Sequence, residues 1–386
     1  MSRFIFRQLV DLLPHRVFDT FVQKYDGNKR VRSFTCWNQL LVMMFAQLIG
    51  CNSLRELVCL VGAHHKKSKY LGFGDVPITR SNLSKANNNR DYRIFEEFAY
   101  HVVGLAQQRR INRIFALHGK FYAFDSTTID LCLSIFWWAA FRRHKGGIKI
   151  HTLLDMVTQI PTFFHITEAS VHDVNAMELI PYEKGAFYVF DKGYYDWHRL
   201  FLITQVGAYY VIRQKDNIRY EVVAGEDLLD GTDGILLDQC IRLVMPITKE
   251  HYPSELRRVV YYSEELKRSF VYLTNNFELA AKDIALLYKN RWQVELFFRW
   301  LKQHLRIKRF WGTSENAVRI QIYTAITAYC LVAIAEHDYG LDRSIFDVLR
   351  VVSRSLLDTM NIKDLFEDLN VEDASYDDNQ LEIEFD

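Results

Sequence analysis

The sequence predicts an α/β protein in which a mixed β-sheet carries helices on its faces, with a helical region ahead of it. Apolar residues recur at three- and four-residue spacing up to about residue 110. Short β-branched and aromatic runs replace them from about residue 118 to 273, and the helical period returns over residues 279–335. The 386 residues are 49% hydrophobic, enough for the cores of two or three domains. With 25% charged residues and a net charge of +1, the chain is not disordered throughout. No uninterrupted apolar run reaches the roughly 18 residues of a membrane span. Residues 1–16 mix charges with apolar residues, unlike a secretory signal. A soluble cytoplasmic protein with no membrane partner is expected.

In the N-terminal region, about residues 1–115, helical spacing is clearest over residues 40–48, 54–61 and 95–105. Between them, residues 78–93 (ITRSNLSKANNNRDYR) are rich in Asn, Ser and Arg, with Ser81 a candidate helix N-cap. One reading is a helical DNA-binding region that sets Arg80, Lys85, Arg90 and Arg93 against phosphates. The other is a solvated hairpin packed on the next domain. Five strands follow, at residues 120–125, 148–157, 162–170, 186–191 and 208–213, with a short helix before the fourth and a helix at 197–206 before the fifth. Gly146-Gly147 reads as a hairpin turn and Trp137-Trp138 as buried. Residues 214–273 hold further strands around 222–223, 239–245, 257–262 and 268–273. The six cysteines form no C-x-x-C pair, so they read as reduced thiols rather than a zinc site or disulfide framework.

The balanced net charge hides an asymmetry. Ten acids and no base lie between Asp364 and Asp386, which leaves 48 basic against 37 acidic residues in the first 363, a net of +11. A basic body points to a polyanionic partner, nucleic acid first. The acidic end reads as a solubilising tail or as a DNA mimic lying over a basic groove.

Two strands end in an aspartate after an aromatic: Phe124-Asp125-Ser126-Thr127 and Phe190-Asp191-Lys192-Gly193-Tyr194. Such an acid is often only a turn residue, but two in one sheet suit metal-dependent phosphoryl transfer, which needs hard oxygen donors converging on one spot. The stretch 288–309 (YKNRWQVELFFRWLKQHLRIKR) reads as one helix. At about 100° per residue, Tyr288, Arg291, Glu295 and Lys302 fall within one stripe about 60° wide, while Arg306, Lys308 and Arg309 extend the basic character beyond it. An ordinary Arg291–Glu295 i,i+4 pair on a solvated helix accounts for part of this pattern equally well.

The spacing Y-x2-R-x3-E-x6-K, together with the contexts of Asp125 and Asp191, resembles bacterial insertion-sequence DDE transposases of the IS-four type. The resemblance covers about residues 121–335, and the segment 80–87 also looks like these proteins. It implies an RNase-H-like core over about residues 116–340, with a β insertion at about 214–273 and a C-terminal helix and acidic tail over 341–386. It implies that Asp125, Asp191 and Glu295 are catalytic and bind two Mg²⁺ or Mn²⁺ ions. Tyr288, Arg291, Lys302, Arg306, Lys308 and Arg309 would contact DNA. The partners implied are double-stranded DNA, as transposon ends and as target, and a second copy of the chain in a homodimeric synaptic complex. A nuclease of the same fold without strand transfer, or an inactive domesticated DNA-binding protein, are the other readings. His172-Asp173 resembles a family H-D pair with a local structural role, and His64, His65, His144 and His151 read as surface or DNA-facing.

Overall fold

The computed structural model describes residues 3–110, 119–142, 145–227, 232–303 and 310–367. The acidic tail beyond Glu367, His144, and Arg306, Lys308 and Arg309 lie outside these residues.

Ten strands form one sheet: β1 (Phe121–Leu131), β2 (Ala140–Arg142), β3 (Lys145–Asp155), β4 (Pro161–Glu168), β5 (Phe187–Phe190), β6 (Tyr209–Arg213), β7 (Tyr220–Asp227), β8 (Ile235–Leu243), β9 (Leu256–Ser263) and β10 (Arg268–Thr274). The order across the sheet is β2-β3-β1-β5-β6-β10-β9-β8-β7, with β4 also paired to β3. β1, β3 and β4 pair antiparallel, while β1, β5 and β6 run parallel. This is the RNase-H-like arrangement that the sequence led us to expect. The strands of residues 214–273 do not form a second sheet. β10 pairs antiparallel with β6 and carries β9, β8 and β7 outward, so they lengthen the same sheet.

Alternation along each strand gives the sheet two apolar faces. Phe121, Ala123, Val189 and Val211 pack toward the helices Trp292–Gln303 and Glu315–Asp338. Tyr122, Phe124, Tyr188, Phe190 and Ile212 pack toward the helix Trp197–Val206. The helix Glu315–Asp338 is apolar nearly all round because it is covered nearly all round, by the N-terminal helices Cys36–Ile49 and Arg93–Arg109 as well as the sheet side. It is the only helix among the described residues long and apolar enough alone to cross a membrane, and 94% of that stretch is buried inside the protein. Its polar groups are satisfied: Gln47 Nε2 donates to the Gln321 carbonyl, Gln321 Oε1 accepts from the Trp311 amide, and the Tyr323 hydroxyl donates to Glu96 at 2.5 Å. The N-terminal helices therefore share one continuous core with the Phe121 and Ala123 face of the sheet. Phe4 bridges Thr359, which brings the first helix against the C-terminal segment. All six cysteines are free thiols.

Several local expectations change. Gly146 and Gly147 lie within β3 rather than in a turn. A Cβ on Gly146 would stand 3.1 Å from the carbonyl oxygens of Ala139 and Leu131, so backbone crowding explains the glycine. Trp137 is exposed, at 79%, because the loop after β1 carries it outward, while its neighbour Trp138 is partly buried and donates to the Thr313 carbonyl at 2.8 Å. His151 is fully buried on β3. The helix Arg80–Asn89 is capped by Thr79, whose hydroxyl accepts from the Asn82 amide at 3.1 Å, so Ser81 falls inside its first turn. Arg90 is buried and donates to the Phe34 and Thr35 carbonyls and to Gln39 Oε1, and Arg93 is paired with Asp91. Arg90 thus has a structural role and Arg93 a local ion pair at the surface, while Arg80 and Lys85 stay exposed.

Arg90→Gln should therefore cost about 3 kcal/mol in denaturant unfolding, because it strands buried carbonyls that a charged donor satisfies. Lys85→Gln should stay within about 0.5 kcal/mol. A loss under about 1 kcal/mol for Arg90→Gln would contradict the structural role.

Candidate active site

The parallel ladder between β1 and β5 ends with Phe124 level with Phe190. Asp125 and Asp191 come next on their chains, so register alone sets the two acids side by side at the ends of adjacent strands. Beyond this point β1 runs on to Leu131 against β3 only, and the chain after β5 turns away. Asp191 leaves in an extended conformation (φ −72°, ψ 160°) and opens the tight turn Lys192–Tyr194. That turn brings the Tyr194 hydroxyl to 3.5 Å from Asp125 Oδ1. The same oxygen accepts the amide of Ser126 at 2.8 Å.

The third acid arrives on a helix that is not continuous. The stretch expected as one helix is two, Ala281–Lys289 and Trp292–Gln303. Between them, Arg291 N bonds to the Tyr288 carbonyl (3.1 Å), Gln293 N to Asn290 (3.2 Å) and Val294 N to Arg291 (3.1 Å), all i to i+3. The Asn290 side chain supplies a reason: its Nδ2 donates back to the Leu286 carbonyl at 2.8 Å while its Oδ1 accepts from Gln293. A single 60° stripe is thus not what aligns these residues. The break turns Arg291 into the interior, where it is 7% exposed. Its Nη1 donates to Asp125 Oδ2 at 3.0 Å and its Nη2 to Glu295 Oε1 at 2.5 Å. The Tyr288 hydroxyl stands 3.5 Å from Asp191 Oδ1. Asp125, Asp191, Tyr288, Arg291 and Glu295 therefore meet in one place. Lys302 lies two turns past Glu295 on the same helix.

The electrostatics fit this geometry. Burial raises the Asp125 carboxyl to about 6 against the pull of Arg291, with Glu295 and Asp191 adding to the rise. Burial works against the charge on Arg291, yet Tyr288, Asp125, Glu295 and Asp191 together hold its pKa above the ordinary value. Burial also pushes the Tyr288 phenol up to about 12, so it stays a hydroxyl donor at neutral pH.

The oxygen-only donor set of Asp125, Asp191 and Glu295 suits a hard divalent cation. Among the described residues no three or more His, Cys, Asp or Glu stand close enough to hold a metal ion, and Arg291 bridges Asp125 and Glu295. Its guanidinium stands in for cationic charge that two neighbouring carboxylates require.

A second polar group lies behind Asp125 on the opposite face of β1, and sequence reasoning missed it. The Ser126 hydroxyl donates to Asp173 Oδ1 at 2.6 Å, and Lys149 Nζ pairs with that oxygen at 3.1 Å and donates to the Val171 carbonyl at 2.8 Å. His151, level with Ser126 across the ladder, has its Nδ1 3.9 Å from Asp173. The period of two in β1 and β3 could have shown that Ser126, Lys149 and His151 share a face. Asp173 reaches them from the first residue of a short 3₁₀ helix, Asp173–Leu179, distant from both strands in sequence.

The family described as the transposase DDE domain matches residues 118–331. The chain belongs to this family of DDE transposases. A transposase so named from Sinorhizobium fredii is 33% identical over 287 residues, covering 72% of this chain and 78% of that protein. A protein of Geobacillus stearothermophilus named as the transposase of insertion sequence IS5377 is 28% identical over 75% of this chain and 80% of its own. One from Synechocystis sp., named for the insertion sequence IS4SA, is 28% identical over 70% and 75%. Residues 2–74 match a domain of unknown function. The DDE transposase match brackets Asp125, Asp191 and Glu295.

Removing Arg291 would leave Asp125 and Glu295 facing each other unneutralised. Arg291→Ala should lower metal-free stability by about 3–5 kcal/mol, and Mn²⁺ should restore more stability to the variant than it adds to wild type. An unchanged melting temperature without metal, or no difference in the Mn²⁺ response, would contradict a charge-bridging Arg291.

Proposed function

We propose that this DDE transposase moves a bacterial insertion sequence by binding its terminal inverted repeats, cleaving the ends and transferring them to target DNA. The observation that carries the reading is one guanidinium held between Asp125 on β1 and Glu295 on a helix, with Tyr288 turned onto Asp191 after the adjacent strand. Asp125, Asp191 and Glu295 are proposed to hold two Mg²⁺ or Mn²⁺ ions. When bound, such ions activate the attacking oxygen and stabilise the leaving one.

The chain's own residues supply positioning. Arg291 stays charged at any working pH, and once released from the two carboxylates its planar fork suits a terminal phosphate. Tyr288, protonated at neutral pH, donates a hydrogen bond to Asp191 or to a phosphate oxygen. Lys302, about 10 Å farther along its helix, places a second cation where the backbone of the same DNA end would continue. Arg306, Lys308 and Arg309 would extend that basic track. We assign DNA contact as well to the N-terminal region, about residues 1–115, and support to the segment after 341. Two ends must be cut and joined together, which favours a homodimer working in the cytoplasm on chromosomal DNA.

Alanine at Asp125, Asp191 or Glu295 should abolish metal-dependent cleavage of end-bearing DNA while leaving its binding within about threefold, a difference of roughly 0.7 kcal/mol. Cleavage at the wild-type rate in any of the three removes that acid from the site. Lys302→Ala should flatten the dependence of log affinity on log salt by about one phosphate contact, a change in slope of roughly 0.9. An unchanged slope would place Lys302 off the DNA.

A further inference from the structure

A cleft of about 600 Å³ opens in the N-terminal region. Two segments distant in sequence form it. One is the loop of residues 26–34, and the other is the exposed side of the helix Arg80–Asn89. The loop presents Lys29, Arg30 and Arg32, and the helix presents Lys85, Asn82 and Asn89. Lys29 is balanced by Asp26 at 3.0 Å. Arg30, Arg32 and Lys85 are exposed, and among the described residues their side chains have no ion pair or hydrogen bond.

This cationic loop is built rather than slack. Asp26 and Arg30 both hold left-handed backbone conformations (φ 52° and 60°), which non-glycine residues adopt only where the surroundings fix them. The Asn28 side chain accepts the Cys36 amide at 2.8 Å, and buried Arg90 ties the Phe34 and Thr35 carbonyls to the end of the facing helix. The opposite wall is fixed to the catalytic half. Asn316 donates to the Asn87 and Arg90 carbonyls at 2.8 and 2.6 Å, accepts the Tyr92 amide at 3.1 Å, and Ser314 bonds Asn88 at 2.7 Å. A ligand seated in the cleft is thereby held at a constant position relative to the long core helix.

We infer that this cleft binds the sugar–phosphate backbone of duplex DNA, gripping with Arg30, Arg32 and Lys85 the same DNA whose end enters the catalytic site. Three unpaired cations on a rigid concave wall match closely spaced phosphates, and the amides of Asn82 and Asn89 add donors between them. Lys85 was a phosphate candidate from the sequence alone. Arg30 and Arg32 join it only through the fold. The inference rests on the transposase reading for the identity of its DNA.

The test uses full-length protein carrying Arg30→Asn, Arg32→Gln and Lys85→Gln together. Asparagine is chosen at position 30 because it tolerates the left-handed backbone there. Binding to a duplex bearing the terminal repeat, and to one of scrambled sequence, is measured by fluorescence anisotropy across a salt series. The melting temperature reports folding, and cleavage by wild type reports the catalytic reading. The expected result is an unchanged melting temperature, affinity at least tenfold weaker on both duplexes, and a salt slope smaller by about 2–3. A normal slope and affinity in the folded variant overturn the cleft while wild-type cleavage keeps the transposase reading. Weakening on the repeat alone, with the slope unchanged, also overturns backbone binding, because it points to base readout. If wild type neither binds nor cuts either duplex, both readings fall together.

Discussion

Three stretches of chain, separated by scores of residues, bring carboxylates to one point, and like charges gathered in a partly buried place repel unless something positive lies between them. In this protein the buried guanidinium of Arg291 meets that requirement, joined to Asp125 on β1 and to Glu295 one turn along its own helix. Much of the surrounding architecture follows from this constraint. The parallel register of β1 and β5 sets Asp125 beside Asp191. The break at Asn290–Arg291 turns the arginine inward instead of along a solvated helix face. The raised carboxyl of Asp125 and the raised guanidinium of Arg291 are two sides of the same arrangement, burial opposing charge and opposite charges restoring it.

What holds that point in place is the sheet and the apolar layer beneath it. Odd-numbered residues at the start of β1, Phe121 and Ala123, pack toward the helical side, and continuing the alternation delivers Asp125 to the face where Glu295 waits. Even-numbered Ser126 points to the other face and meets Asp173 and Lys149 there, so β1 is tied at Asp125 from both sides. The long helix Glu315–Asp338, covered by both the sheet side and the N-terminal helices, makes the N-terminal region and the sheet that carries the acids one packed body. A basic cleft built on the N-terminal side can therefore serve chemistry performed elsewhere in the molecule.

The sequence made the sheet and the carboxylates legible for physical reasons. Strand alternation, aromatic-Asp endings and the fixed spacing of Tyr288, Arg291, Glu295 and Lys302 are local signals, and the five strands of the core fall close to where those signals lie. The errors come from places where tertiary contacts override local preference. Gly146-Gly147 reads as a turn until the crowding of Leu131 and Ala139 is known. Arg90 and Arg93 look like phosphate ligands until the carbonyls of Phe34 and Thr35 and the Asp91 carboxylate claim them. The helix break escaped because Asn290 is an acceptable helix residue whose side chain competes for backbone groups only in this setting. The sequence marks Asp173 only as half of an H-D pair with a local structural role. Its partners Ser126 and Lys149, like the pairing of residues 26–34 with the helix Arg80–Asn89, are long-range and unannounced by their own stretches of sequence.

Asp125, Asp191 and Glu295 are proposed to form one metal-dependent centre acting on the ends of a mobile element. The most direct measurement incubates linear DNA carrying this gene and its native flanks with purified protein and Mn²⁺, then maps the products at nucleotide resolution beside Glu295→Ala. The account predicts cuts at two inverted repeats bracketing the gene, absent without metal and absent in the variant. Scattered cuts, or cuts that survive Glu295→Ala, would contradict it.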